Sequence, residues 1–77
     1  MSFSEHKIPI MALNPSAQEV YRLLLHRQLK VGEIQERTSY SPRTIRQAIN
    51  KLVKLRLIRQ LPDLHDLRSH YYTVTSN

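Results

Sequence analysis

The sequence has no cysteine, which excludes disulfide staples and thiolate metal sites. It has no tryptophan, one phenylalanine and one glycine, so a glycine-rich phosphate cradle is ruled out. No apolar run approaches the roughly 20 residues that span a bilayer. The first residues, Met1-Ser2-Phe3-Ser4-Glu5-His6-Lys7, lack the basic start and apolar centre of a secretory signal, so a cytoplasmic protein is expected. Catalytic sets are equally scarce. The four histidines, His6, His26, His65 and His70, form no pair at helical spacing and no HExxH pattern. No credible Ser/His/Asp arrangement exists. His65 and His70, with Asp63 or Asp66, are the nearest approach to a metal set, and exposed loop histidines are far more often bare. The expectation is a non-enzyme with no cofactor, no metal and no evident small-molecule ligand.

The most telling shortage is of acids. Between Arg37 and Leu61 stand seven basic residues and no Asp or Glu. The whole chain of 77 residues carries a net charge of +6, and the excess gathers in its middle. Residues 29–61 hold eight of the twelve cations and two of the six acids. A concentrated cationic field is the footprint expected of a polyanion partner. The length suits one domain with a modest core. Without staples, such a core favours support from a second copy.

The acid-free stretch is built around one helix. Ser41 offers an N-cap hydroxyl and Pro42 fits the first helical position. At about 100° per residue, Ile45, Ala48, Ile49, Leu52 and Val53 fall on one side, and Arg43, Arg46, Gln47, Asn50 and Lys54 on the other. One face is core. The other carries cations and side-chain amides suited to phosphates and base edges, which marks a recognition helix over 42–55.

The remaining elements fall around it. Residues 1–13 read as an N-terminal arm, with Pro9 interrupting any helix, and 14–77 as the domain proper. Asn14-Pro15 starts a first helix whose inner stripe is Val20, Leu23 and Leu24, with Ala17 and Arg27 at its margins. Glu19 favours its positive end, and Tyr21 and Leu25 widen its apolar surface. Gln28–Gly32 breaks the pattern, with Leu29 and Val31 alternating as in a very short strand. A short helix follows over Glu33–Thr38, then a tight turn at Ser39-Tyr40-Ser41. Two helices joined by about three residues make a helix-turn-helix. Arg56–Leu61 reads as a strand, Pro62–Ser69 as a loop, and His70–Thr75, rich in aromatic and β-branched residues, as the returning strand. No internal repeat is evident.

This order resembles winged helix-turn-helix transcription regulators. Val31-Gly32-Glu33-Ile34 with Arg37-Thr38 resembles the usual start of their second helix, and Ser41-Pro42-Arg43-Thr44-Ile45-Arg46 that of the recognition helix. Leu52-Val53-Lys54-Leu55-Arg56-Leu57-Ile58 resembles the exit into the wing. Asp66-Leu67-Arg68-Ser69-His70-Tyr71-Tyr72-Thr73-Val74-Thr75 resembles the wing of MarR-type regulators, with an Asp and an Arg near its tip. The resemblance spans roughly residues 15–75. It implies a mainly α fold with a small β-hairpin: three helices plus a two- or three-stranded antiparallel wing. The chain departs from the pattern at Arg56, where the exit normally has glycine because the turn needs a positive φ. It also has no room for the long terminal helices with which MarR-type proteins dimerise.

The expected activity is double-stranded DNA binding by a transcription regulator, with helix 42–55 in the major groove and wing 62–69 on the minor groove. Ser41, Arg43, Thr44, Arg46, Gln47, Asn50, Lys51, Lys54 and Arg68 are the expected DNA-binding residues. Lys30, Arg37, Thr38, Ser39, Tyr40, Arg56 and Arg59 are the phosphate-contact candidates. Arg suits guanine O6/N7 and Gln adenine N6/N7. Arg68 suits a narrow A·T minor groove, with Asp66 orienting it. A homodimer is expected, through Phe3, Ile10, Tyr21 and Leu25. The alternative is a winged-helix protein-interaction or RNA-binding module of a larger assembly. The same basic face could meet RNA or an acidic protein; the discriminator is charge placement, since an interaction-only winged helix need not keep its recognition helix free of acids.

Overall fold

Asn14 opens the first helix as its sequence suggests. Its side-chain oxygen accepts from the Ala17 amide at 3.1 Å, and Pro15 occupies the first turn of α1, Pro15–His26. The computed structural model describes residues 13–75. The arm proposed for residues 1–13 therefore lies outside the described residues, except Leu13, which is buried in the core. Phe3 and Ile10 lie outside them too. In α1 the buried stripe is Ala17, Val20 and Leu24, with Leu23 only half-buried. Glu19 falls beyond the first turn, so it gains little from the helix dipole. Arg27 is exposed and lies past the helix end.

The short strand exists as β1, Leu29–Lys30. The second helix, α2, runs Val31–Glu36. It starts two residues earlier than the sequence suggested and stops before Arg37. Gly32 sits inside it rather than breaking the pattern. The start is fixed by Glu33, whose carboxylate accepts from the Lys30 amide at 2.8 Å. That is half of a capping box; Lys30 has no acceptor with which to supply the other half. Ile34 is fully buried and pins α2 to the core.

Helix α3, Pro42–Lys54, begins at the Ser41 cap, whose hydroxyl accepts from the Thr44 amide at 3.2 Å. Its inner face buries Ile45, Ala48, Ile49 and Leu52. Val53 was expected among them and is instead 38% exposed. It lies about 90° round the helix from the centre of that stripe, on a flank left uncovered. The helix ends one residue before the expected Leu55, which is its C-cap. Arg56 then takes φ 64°, the one left-handed non-glycine among the described residues. The Arg56 amide donates to the Val53 carbonyl and the Leu57 amide to the Leu52 carbonyl, each at 2.9 Å. Those two bonds make a Schellman motif, which normally places glycine at the left-handed position.

The wing is β2, Ile58–Pro62, and β3, His70–Val74, paired antiparallel from Ile58 opposite Val74 to Pro62 opposite His70. The strand thus starts later than Arg56 and includes Pro62, leaving residues 63–69 as the tip. β3 is central, with β1 on its other side pairing Leu29 with Tyr72. Pro62 is tolerated because β2 is an edge strand. Leu29, Ile58 and the helical stripes close one core. α1 packs mainly on α3, so α3 is clamped from behind and its opposite face is left open.

Candidate nucleic-acid interface

On α3, Arg43, Arg46, Gln47, Asn50, Lys51 and Lys54 are all exposed. Ile45, Ala48, Ile49 and Leu52 hold the other side. The division follows from the 3.6-residue period alone, and no acid interrupts the outward face. Thr44 is half-buried beside the cap, where its hydroxyl accepts from that of Ser41 at 3.0 Å. Ser41 thus spends its own proton on Thr44, and the Thr44 proton is the one left to donate outward.

The other expected contacts separate into free and engaged groups. Ser39, Arg56 and Arg59 are exposed. Arg37 is exposed while its guanidinium donates to the Glu33 carbonyl at 3.3 Å, closing the end of α2. Tyr40 is half-buried, packing against the core. Thr38 differs from the other candidates: its hydroxyl oxygen is buried with no hydrogen-bond partner among the described residues. Lys30 is engaged too. Its ammonium lies 2.6 Å from the Asp63 carboxylate and 5.2 Å from the centre of the Tyr71 ring. It ties β1 to the wing tip instead of standing free.

That ion pair is the electrostatic centre of the wing. Asp63 is buried, and its carboxylate also accepts from the His65 amide at 2.9 Å. The Lys30 ammonium first, and the His65 amide second, hold the Asp63 carboxyl below its ordinary value; Asp63 in turn raises Lys30. Asp66 accepts from the Arg68 amide at 3.1 Å and from the Ser69 hydroxyl at 3.1 Å. The Arg68 guanidinium stands 3.6 Å from Asp66, with its side chain 95% exposed. So Asp66 orients Arg68, as the sequence suggested, and Arg68 projects from the tip.

An open groove runs between the start of α2 and the wing, lined among others by Glu33 and Glu36 on one side and Arg68, Ser69 and His70 on the other, with Arg46 as its one residue from α3. Ser69 and His70 in this groove, and Leu64, His65 and Leu67 at the tip, were not singled out from sequence as contacts. Among the described residues no cluster of three His, Asp or Glu side chains could hold a metal. No helix there is long and apolar enough to cross a membrane.

Comparison with known proteins agrees with this geometry. The fold is similar to that of the adhesin competence repressor AdcR from Streptococcus pyogenes, with a TM-score of 0.79 and 23% identity over 83% of this chain and 48% of that one. It is similar to ZitR from Lactococcus lactis, a zinc-responsive MarR family member, with a TM-score of 0.78 and 20% identity over 99% of this chain and 51% of that one. Reduced HlyU from Vibrio cholerae matches with a TM-score of 0.73 and 25% identity, over 88% of this chain and 67% of that one. The chain spans about half the length of AdcR and ZitR. No curated protein matches it in sequence. Residues 17–61 match the model of the DeoR-like helix-turn-helix domain. That match runs from the buried face of α1 through α3 into β2, and covers more than half of the chain. The three-helix core with its wing is a winged helix-turn-helix, and the chain belongs to the DeoR-like helix-turn-helix family.

Proposed function

We propose that this chain is the DNA-contacting part of a transcription regulator, with α3 in the major groove of a duplex and the wing tip on the minor groove. One observation carries the reading: the exposed face of α3 presents Arg43, Arg46, Gln47, Asn50, Lys51 and Lys54 without an acid, while its other face is locked into the core. The N-terminal half leads, as in related modules. Arg43, Thr44, Arg46 and Gln47 then reach base edges. Lys51, Lys54, Ser39, Arg37, Arg56 and Arg59 lie along the phosphates. Glu36 is exposed on the α2 side of the groove. It repels phosphate there, so the duplex sits toward α3 and the wing. A protein-interaction role is not favoured, because it does not require an acid-free recognition helix; RNA shares the phosphate charge and is set aside on the family match to a helix-turn-helix domain.

Two copies per site suit this reading, since paired half-sites match regulator symmetry. Leu25 stands 55% exposed on α1 with the half-buried Tyr21 nearby, an apolar flank for a second copy. Sedimentation showing a monomer at micromolar concentration, free and on DNA, rejects the dimer. The DNA reading is tested by a mobility shift with random duplex at 50 and 200 mM salt. If about six to ten phosphates are neutralised, affinity falls roughly a thousandfold or more between the two. Absence of binding at the lower salt rejects it.

A further inference from the structure

The wing tip repeats a three-residue unit, Asp63-Leu64-His65 followed by Asp66-Leu67-Arg68. The two units have one geometry. The Asp63 carbonyl accepts from the Asp66 amide at 3.1 Å, and the Asp66 carbonyl from the Ser69 amide at 2.9 Å, giving two consecutive β-turns. In each, the leading Asp side chain accepts from the amide two residues on, the Asx-turn pattern that pins a turn from within. In each, leucine is the second residue. Leu64 is 81% exposed and Leu67 73%, the most exposed large apolar side chains among the described residues.

We infer that this tandem turn is an apolar wedge for the minor groove, with Leu64 and Leu67 as the inserting side chains and His65 and Arg68 as flanking cationic or hydrogen-bonding groups. The inference rests on the DNA-binding reading above and extends it. Leucine is among the side chains that wedge between base steps and kink a duplex. Two pinned turns and Lys30 at Asp63 hold the backbone that carries these leucines, so little backbone freedom is lost on insertion. Both tip carboxylates are already engaged, one buried with Lys30 and one with Ser69 and Arg68, so their repulsion of phosphate is muted. Arg46 of α3 and Arg68 of the tip face one groove, which puts the tip on the same side of the molecule as the exposed face of α3. A protein partner fits less well. Two side chains fall far short of the roughly 1,200 Å² that a stable protein interface buries.

The test uses the whole chain and short end-labelled duplexes with a central TpA step, a flexible and easily kinked site. Affinity is measured across salt concentrations, and bending by energy transfer between the ends. The variants are Leu64→Ala/Leu67→Ala and Arg68→Ala. The leucine variant should unfold at the parent's temperature, since both side chains are exposed. It should bind roughly tenfold or more weakly, bend the duplex less, and keep the parent's salt slope, because apolar contacts release no counterions. Arg68→Ala should lower that slope by about one phosphate's worth. A leucine variant that binds and bends like the parent overturns the wedge. So does one that lowers the salt slope, or one that abolishes a concentration-dependent association of the free protein, which would assign the tip to self-contact. A parent that binds no duplex overturns the wedge and the DNA reading together.

Discussion

Arg56 holds φ 64° in a turn whose two bonds are those of a Schellman motif. A non-glycine residue there costs about 1–2 kcal/mol in backbone sterics, and glycine in its place would lose roughly 0.5–1 kcal/mol through a more flexible unfolded chain. Arg56→Gly should therefore stabilise the domain by roughly 0–1.5 kcal/mol, raising Tm in a thermal melt by about 4–8 °C for each 1 kcal/mol gained. If Arg56 also contacts a phosphate, the same variant lowers the salt slope of DNA binding by about one. The sequence pointed to this position, because the resemblance carries glycine there. The charge of Lys30 alone suggests phosphate, and its ion pair with Asp63 is not legible in the sequence. Its partner, Asp63, is 33 residues away, and only the fold brings them together. Asp63 has a lowered folded value, so its contribution is whole above its ordinary 3.8 and is lost as pH falls through the folded value. Lys30 is raised, so its contribution is whole below 10.5 and lost as pH climbs through the folded value. Melts of Asp63→Asn and parent from pH 2 to 11 should differ most across the middle of that range, converge as pH falls through the folded value of Asp63, and begin to narrow only above 10.5. Curves that stay parallel would show that the pair stabilises nothing.

At the scale of elements, α1 and α3 were legible because each announces its own start. Asn14-Pro15 and Ser41-Pro42 both cap as their chemistry requires. The 3.6-residue period then assigned Ile45, Ala48, Ile49 and Leu52 to the core, and failed at Val53, whose burial depends on whether a neighbour covers that flank. The start of α2 is hidden in the sequence because a lone glycine reads as punctuation, whereas the Glu33 carboxylate on the Lys30 amide sets the start two residues earlier. Gly32 has no positive φ, and a Cβ built there meets nothing within 4 Å. Gly32→Ala should thus stabilise the domain by roughly 0.5–1 kcal/mol, checked by urea unfolding with an unchanged m-value. In the wing, alternation and turn residues located the hairpin. The paired Asp-Leu-basic units escaped notice because three residues are too short to stand out as a repeat. Only the tandem turns show that they act alike.

For the whole molecule, the small core and the cationic face are two consequences of one arrangement. A domain of this length is stable by only about 4–12 kcal/mol, so the helices must share a single apolar centre, and α3 can spend just one side on it. Its other side is free for a polyanion. Nothing in that division requires a ligand pocket or a metal. The most direct measurement is a duplex titration of Arg43→Ala/Gln47→Ala beside the parent at low salt, with circular dichroism confirming that both are folded. Both side chains are exposed, so equal melting curves are expected. The predicted result is a loss of affinity of roughly tenfold or more. A folded variant that binds every duplex as tightly as the parent would contradict the assignment of α3 to the major groove.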